Sequence, residues 1–122
     1  MASRIDDSRP IFEQIAERIE DDIIKEVLLE ESQVPSTNQF ASFYKINPAT
    51  AAKGVNQLVD RGILYKKRGV GMFVTSGARA KLMKARKEGF FEQYVVKIIR
   101  EAENLGITTD ELTEMIRKGE AK

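Results

Sequence analysis

The chain has 122 residues, 42% hydrophobic and 32% charged, which suits one compact domain with an appendage and excludes a disordered chain. It has no Cys and no His; that removes disulfides, thiolate metal sites, cysteine nucleophiles and the commonest general base near neutral pH. The formal net charge of +1 conceals a segregation, with residues 1–35 at −6, residues 36–90 at +9 and residues 91–122 at −2, as expected of a polyanion-binding segment between acidic ends.

Pro10 stands where a first helical turn accepts proline, and Phe12, Ile15, Ile19, Ile23 and Val27 follow at three- or four-residue steps. This predicts an amphipathic helix over about residues 10–27, with Glu13, Glu17, Glu20 and Asp21 on its solvent face. A connector ends at Pro35. Ser36 with Gln39 reads as a capping box for a short helix over about residues 37–44, with Phe40, Ala41 and Phe43 as its apolar positions. Lys45 and Ile46 make a tight link. Asn47 caps a third helix with Pro48 in its first turn, running to about Arg61 and burying Ala51, Val55, Leu58 and Val59. Gly62 stops it.

Ile63 to Lys67 and Val70 to Thr75 then read as two strands joined by a two-residue Arg68-Gly69 link. A long helix is predicted from Ala78 to about Asn104, basic in its first half, with Gly89 at a bend. Phe91, Val95, Ile98, Ala102 and Leu105 recur at alternating four and three steps, and Phe90, Tyr94 and Ile99 widen that stripe. Gly106 ends the helix. Thr108 and Glu111 cap a last helix over about residues 109–118, which Gly119 stops.

Helix, short helix, tight turn, helix and hairpin make a winged helix-turn-helix, a mainly α fold with a small β-hairpin, followed here by a two-helix C-terminal tail. Residues 1–76 are read as the DNA-binding domain and 77–122 as a helical dimerisation tail. In such a fold the start of the third helix enters the major groove while the preceding helix braces on the backbone.

Four pieces in order carry a resemblance: Pro10-Ile11-Phe12-Glu13-Gln14-Ile15, Val34-Pro35-Ser36, Ile46-Asn47-Pro48-Ala49-Thr50 and Arg68-Gly69-Val70-Gly71-Met72-Phe73-Val74. They resemble GntR-family transcriptional regulators. The short tail and the Asn-Pro-x-Thr opening are similar to the YtrA-type branch. The resemblance implies a homodimer, and genes for a membrane transporter as targets. Where family members have Arg after the Pro-Ser step this chain has Asn38, and two glycines common in the connector are replaced by Glu26 and Glu31. Many members also have Arg in the opening turn of helix three, where Pro48 and Ala49 stand.

The DNA-binding candidates are Ser36, Asn38, Asn47, Pro48, Ala49, Thr50, Lys53, Lys66, Lys67, Arg68 and Gly69. Ser36 and Asn47 also serve as helix caps. Asn38 can hydrogen-bond a base or phosphate but lacks the fork of Arg. Thr50 suits a phosphate or thymine methyl, and Lys53 a phosphate or guanine. Asn56 lies deeper along the helix. Lys66, Lys67 and Arg68 flank the wing turn, where Gly69 lets the backbone approach the minor groove; the alternative is a solvated hairpin whose lysines discourage edge pairing. The basic run Arg79–Lys87 reads as a solvated helix side, with contact to flanking phosphates as the alternative.

For dimerisation the candidates are Phe91, Tyr94, Val95, Ile98, Ala102 and Leu105, since a monomer exposes them unless they pack on the first helix. The expected function is a sequence-specific regulator, a repressor, acting on a palindromic operator of double-stranded DNA. A winged-helix module binding an acidic protein surface is the rival. An enzyme is not expected: Asp6-Asp7 and Asp21-Asp22 have no convergent partner. No cofactor, metal or Gly-rich phosphate loop is expected. No apolar run approaches the roughly 20 residues of a membrane span, and the acidic start is no signal peptide, so the expected location is cytoplasmic. Residues 78–122 are too few to enclose a metabolite pocket within one chain, and no small-molecule effector is assigned.

Overall fold

The computed structural model describes residues 5–122. In chain order these form α1 (Ile11–Ile24), α2 (Thr37–Tyr44), α3 (Pro48–Asp60), β1 (Leu64–Lys67), β2 (Gly71–Val74), α4 (Ala78–Phe90), a π-helical segment (Phe91–Val95), α5 (Val96–Asn104) and α6 (Thr109–Glu120). The fold is mainly helical with one antiparallel hairpin. Two compact units divide between Met83 and Lys84. Ala78 and Leu82 belong to the first unit's core, so that unit continues past the wing and beyond the expected division at residue 76.

The core of the first unit joins Ile15, Ile19 and Ile23 of α1 to Ala51, Val55 and Leu58 of α3 and to Ile63, Leu64 and Val74 of the hairpin. Burying each large aliphatic side chain is worth about 1.5–3 kcal/mol. Gly54 brings α3 close to α1: a Cβ there would lie 2.6 Å from the Phe12 carbonyl oxygen. Glu20, expected on the solvent face of α1, is instead 8% exposed. Arg61, the C-cap of α3, donates from Nη1 to its Oε2 at 2.6 Å, which compensates a carboxylate that burial alone would penalise.

α1 ends at Ile24, earlier than expected, and Val27 is 69% exposed. The cause is Glu26, at φ +63°. That left-handed turn lets the Val27 and Leu28 amides donate to the Asp22 carbonyl at 2.8 and 3.0 Å, closing the helix as glycine stops do. Glu31 is left-handed too, at φ +68°. The two glutamates that replace family glycines therefore keep the glycine backbone. A left-handed L-residue costs about 1–2 kcal/mol, so Glu26→Gly is expected to stabilise the protein by about 1 kcal/mol, a rise of roughly 4 °C in thermal midpoint. A lower midpoint would contradict this origin of the stop. Glu31 differs, because its carboxylate accepts from the Tyr65 hydroxyl at 2.8 Å.

Both capping boxes form, Ser36 with Gln39 and Thr108 with Glu111, and Asn47 Oδ1 accepts from the Ala49 amide at 2.7 Å. Lys45 leaves α2 left-handed at φ +56°. The wing link is longer than expected: Lys67 pairs with Gly71, leaving Arg68, Gly69 and Val70 between the strands. The Val70 amide donates to the Lys67 carbonyl at 2.9 Å, and Gly69, at φ +77°, holds the place where type II turns need positive φ.

In the second unit the helix does not simply bend at Gly89. It passes through the π-helical segment and resumes as α5. Ala102 is buried there, and the Ile107 amide donates to its carbonyl at 2.8 Å as the chain turns toward α6. α6 runs through Gly119, which does not stop it.

Candidate nucleic-acid interface

Helix periodicity sorts α3 into two faces. Ala51, Gly54, Val55 and Leu58 are buried. Ala49, Lys53 and Asn56 recur at four and three steps on the opposite face, and all three are exposed. Pro48 is exposed and Thr50 half-buried. The first turn of α3 is thus held by the Asn47 cap and anchored by the core while its outer side stays open. Ser36 and Asn38 open α2 in the same way, both exposed.

Two candidate cations have aromatic partners that local pattern did not reveal. The Lys53 ammonium sits over the Phe12 ring of α1, 4.1 Å from its centroid. The Lys67 ammonium sits 4.7 Å from the Phe73 centroid, and Phe73 stacks on Tyr65 with centroids 5.8 Å apart. Strand alternation sends Lys66 and Lys67 to opposite faces of the hairpin, so the run Lys66-Lys67-Arg68 does not present three charges on one face. All three residues, and Gly69, are exposed. An exposed cation–π contact is worth about 0.5–1 kcal/mol, less than the roughly 1.5–3 kcal/mol of a hydrogen bond to a charged group. A phosphate within reach outcompetes either ring.

The Tyr65 hydroxyl is held above the ordinary tyrosine range, chiefly because it donates to Glu31. Arg79 and Lys81, read as solvated, are structural: Arg79 Nε donates to the Ile24 carbonyl at 2.8 Å and Lys81 Nζ to the Arg61 carbonyl at 2.6 Å. Gln14 explains the glutamine of the opening motif, since its Oε1 accepts from the Asp6 amide at 2.7 Å and its Nε2 donates to the Arg9 carbonyl at 3.0 Å.

Gln33 is the residue the sequence did not disclose. The connector lies antiparallel beside β2, with Gln33 bridged to Phe73 and the Val34 amide donating to the Met72 carbonyl at 2.9 Å. From there Gln33 Nε2 donates to the Val70 carbonyl at 3.0 Å, in the wing turn. A Cβ on Gly71 would meet the same Nε2 at 2.4 Å, and Gly71 sits at φ +144°. Gly71 clears the space and Gln33 fills it, so the wing turn is tied to the body of the domain. Gln33→Ala is expected to speed exchange of the wing-turn amides about fivefold, the loss of one hydrogen bond of about 1 kcal/mol. Unchanged exchange at Val70 would contradict the tie.

Two helices joined by a left-handed Lys45, the second with a capped and open first turn, and a basic hairpin following it: these define a winged helix-turn-helix, a DNA-binding class. The model of the bacterial regulatory proteins of the gntR family matches residues 11–74, and the chain belongs to the GntR family. It is similar to the transcriptional repressor YtrA of Bacillus subtilis, 27% identical over 111 residues that span 91% of this chain and 85% of YtrA. The similarity therefore extends through the tail, as in the YtrA-type branch. A GntR-family regulator of Bacteroides thetaiotaomicron is 35% identical, with a TM-score of 0.69 over 88% of this chain and 94% of that one. The AraR DNA-binding domain bound to operator ORX1 is 25% identical, with a TM-score of 0.54 over 62% of this chain and 90% of that one.

Proposed function

We propose that the protein is a transcriptional repressor that binds a palindromic operator as a homodimer, and so acts in the cytoplasm, without enzymatic activity. The observation that carries this reading is the outer side of the first turn of α3, open and rigidly capped, next in sequence to a basic wing. Thr50 and Ala49 meet base edges in the major groove. Ser36, Asn38 and Asn47 meet phosphates from the helix starts. Lys53 and Lys67 leave their rings for phosphates, and Arg68 with Gly69 enters the minor groove. Similarity to a repressor and to an operator-bound domain supports this assignment.

If the dimer neutralises about six phosphates, log affinity falls against log salt with a slope of about −5. Lys67→Ala is expected to weaken operator and random DNA alike, lowering that slope by about 1 in magnitude per site. Thr50→Ala is expected to cost about 1–3 kcal/mol at one position of each half-site only. Gel shifts on both DNAs separate the two. Equal losses on operator and random DNA for both variants would contradict the division, and no retarded fragment at low salt would remove the DNA-binding reading.

A further inference from the structure

The end of α1, the connector and α2 enclose an open groove of about 850 Å³, within the size range of small-molecule sites. Leu28, Phe40, Phe43 and Tyr44 line it, with Asp22 and Gln39 among its polar groups. Phe43, one of the apolar positions read for α2, is 64% exposed. Its ring meets Tyr44 edge to face, with centroids 4.9 Å apart and planes at 86°. Both rings line the groove.

Aromatic rings and a carboxylate lining one groove suit one ligand chemistry above others. A quaternary or alkylated ammonium is drawn to the negative ring faces, and its methyl groups gain apolar contact. A carboxylate then supplies the counter-charge. Burial pushes the Asp22 carboxyl above the usual range; Arg18 and Lys25 oppose this, and Asp21 adds to it. Arg18 and Asp22 also both act on the Tyr44 hydroxyl, so these groups are electrostatic neighbours. An incoming cation shares Asp22 with Arg18.

We propose that this groove binds a small organic ammonium ion between Phe43, Tyr44 and Asp22, and that its occupancy releases operator DNA. The second clause rests on the DNA-binding reading above. Two glutamines of the groove supply the coupling. Gln39 closes the capping box, its Oε1 accepting from the Ser36 amide at 2.7 Å. Gln33 holds the wing turn through Val70. A guest that displaces either side chain loosens the start of α2 or the wing.

The test titrates the full chain, without DNA, with benzyltrimethylammonium and with its neutral carbon isostere, neopentylbenzene. The cation is expected to bind about tenfold more tightly than the isostere. Asp22→Asn and Phe43→Ala are each expected to weaken it about fivefold with the thermal midpoint kept, since Phe43 is exposed and Asp22 is penalised by burial. Equal binding of cation and isostere, or wild-type affinity in both variants, would overturn the site. Operator affinity is then measured at saturating cation against sodium chloride of equal ionic strength. A fall of about fivefold is expected; an unmoved affinity would overturn the release clause. Failure to bind operator without any cation would count against the DNA-binding reading, while the titration still judges the groove.

Discussion

An Ile98→Glu protein is expected to be a monomer and to bind operator about a thousandfold more weakly than the parent. Ile98 is 46% exposed, and Phe91, Tyr94 and Leu105 are more than half exposed. They belong to the apolar stripe read from the sequence, and monomers rarely expose so continuous a patch. Pairing two such stripes across a twofold axis buries Ile98, and a carboxylate there loses its water without gaining a partner. Losing the dimer also removes the second half-site, whose linkage to the first multiplies affinity by about 10²–10⁴. Sedimentation velocity with a gel shift checks both halves. A stable Ile98→Glu dimer would place the interface elsewhere.

The second large effect is expected at Gly54. Alanine is the better helix former by about 1 kcal/mol, yet Gly54→Ala is expected to lose about 2 kcal/mol, or roughly 10 °C of thermal midpoint. The new Cβ would stand 2.6 Å from the Phe12 carbonyl oxygen and 3.2 Å from the Ile15 Cβ. A flexible side chain could turn away, but a backbone carbonyl moves only with its helix. Ile15 is fully buried, so shifting α1 disturbs the core. It also moves Phe12, under the Lys53 ammonium. A thermal melt decides the matter, and a variant as stable as the parent would mean that α1 can slide at little cost.

Local chemistry explains which parts were legible in the sequence. α2 spans Thr37–Tyr44, as expected, because Ser36 and Gln39 form a box whose members are three residues apart. α3 begins at Pro48 because Asn47 caps it. Each signal is complete within a few residues. What local pattern does not carry is nonlocal. Glu20 looked like a solvent-facing acid until Arg61, 41 residues away, neutralised it. Gln33 looked like connector until Val70, 37 residues away, gave it a partner. Lys53 and Lys67 read as free cations because ring contacts do not follow from charge runs. Glu26 was visible as a departure from a glycine pattern. That it would keep the glycine's left-handed backbone, and so end α1 before Val27, was not visible, because L-residues seldom adopt it.

The central claim is that α3 and the wing read one half-site in each of two symmetric protomers. Selection from a random duplex pool followed by hydroxyl-radical footprinting tests it most directly. The account predicts an inverted repeat, with two protected patches on one side of the duplex about 34 Å apart, a single helical turn. Recovery of an unselected pool, or one isolated patch without an inverted partner, would contradict it.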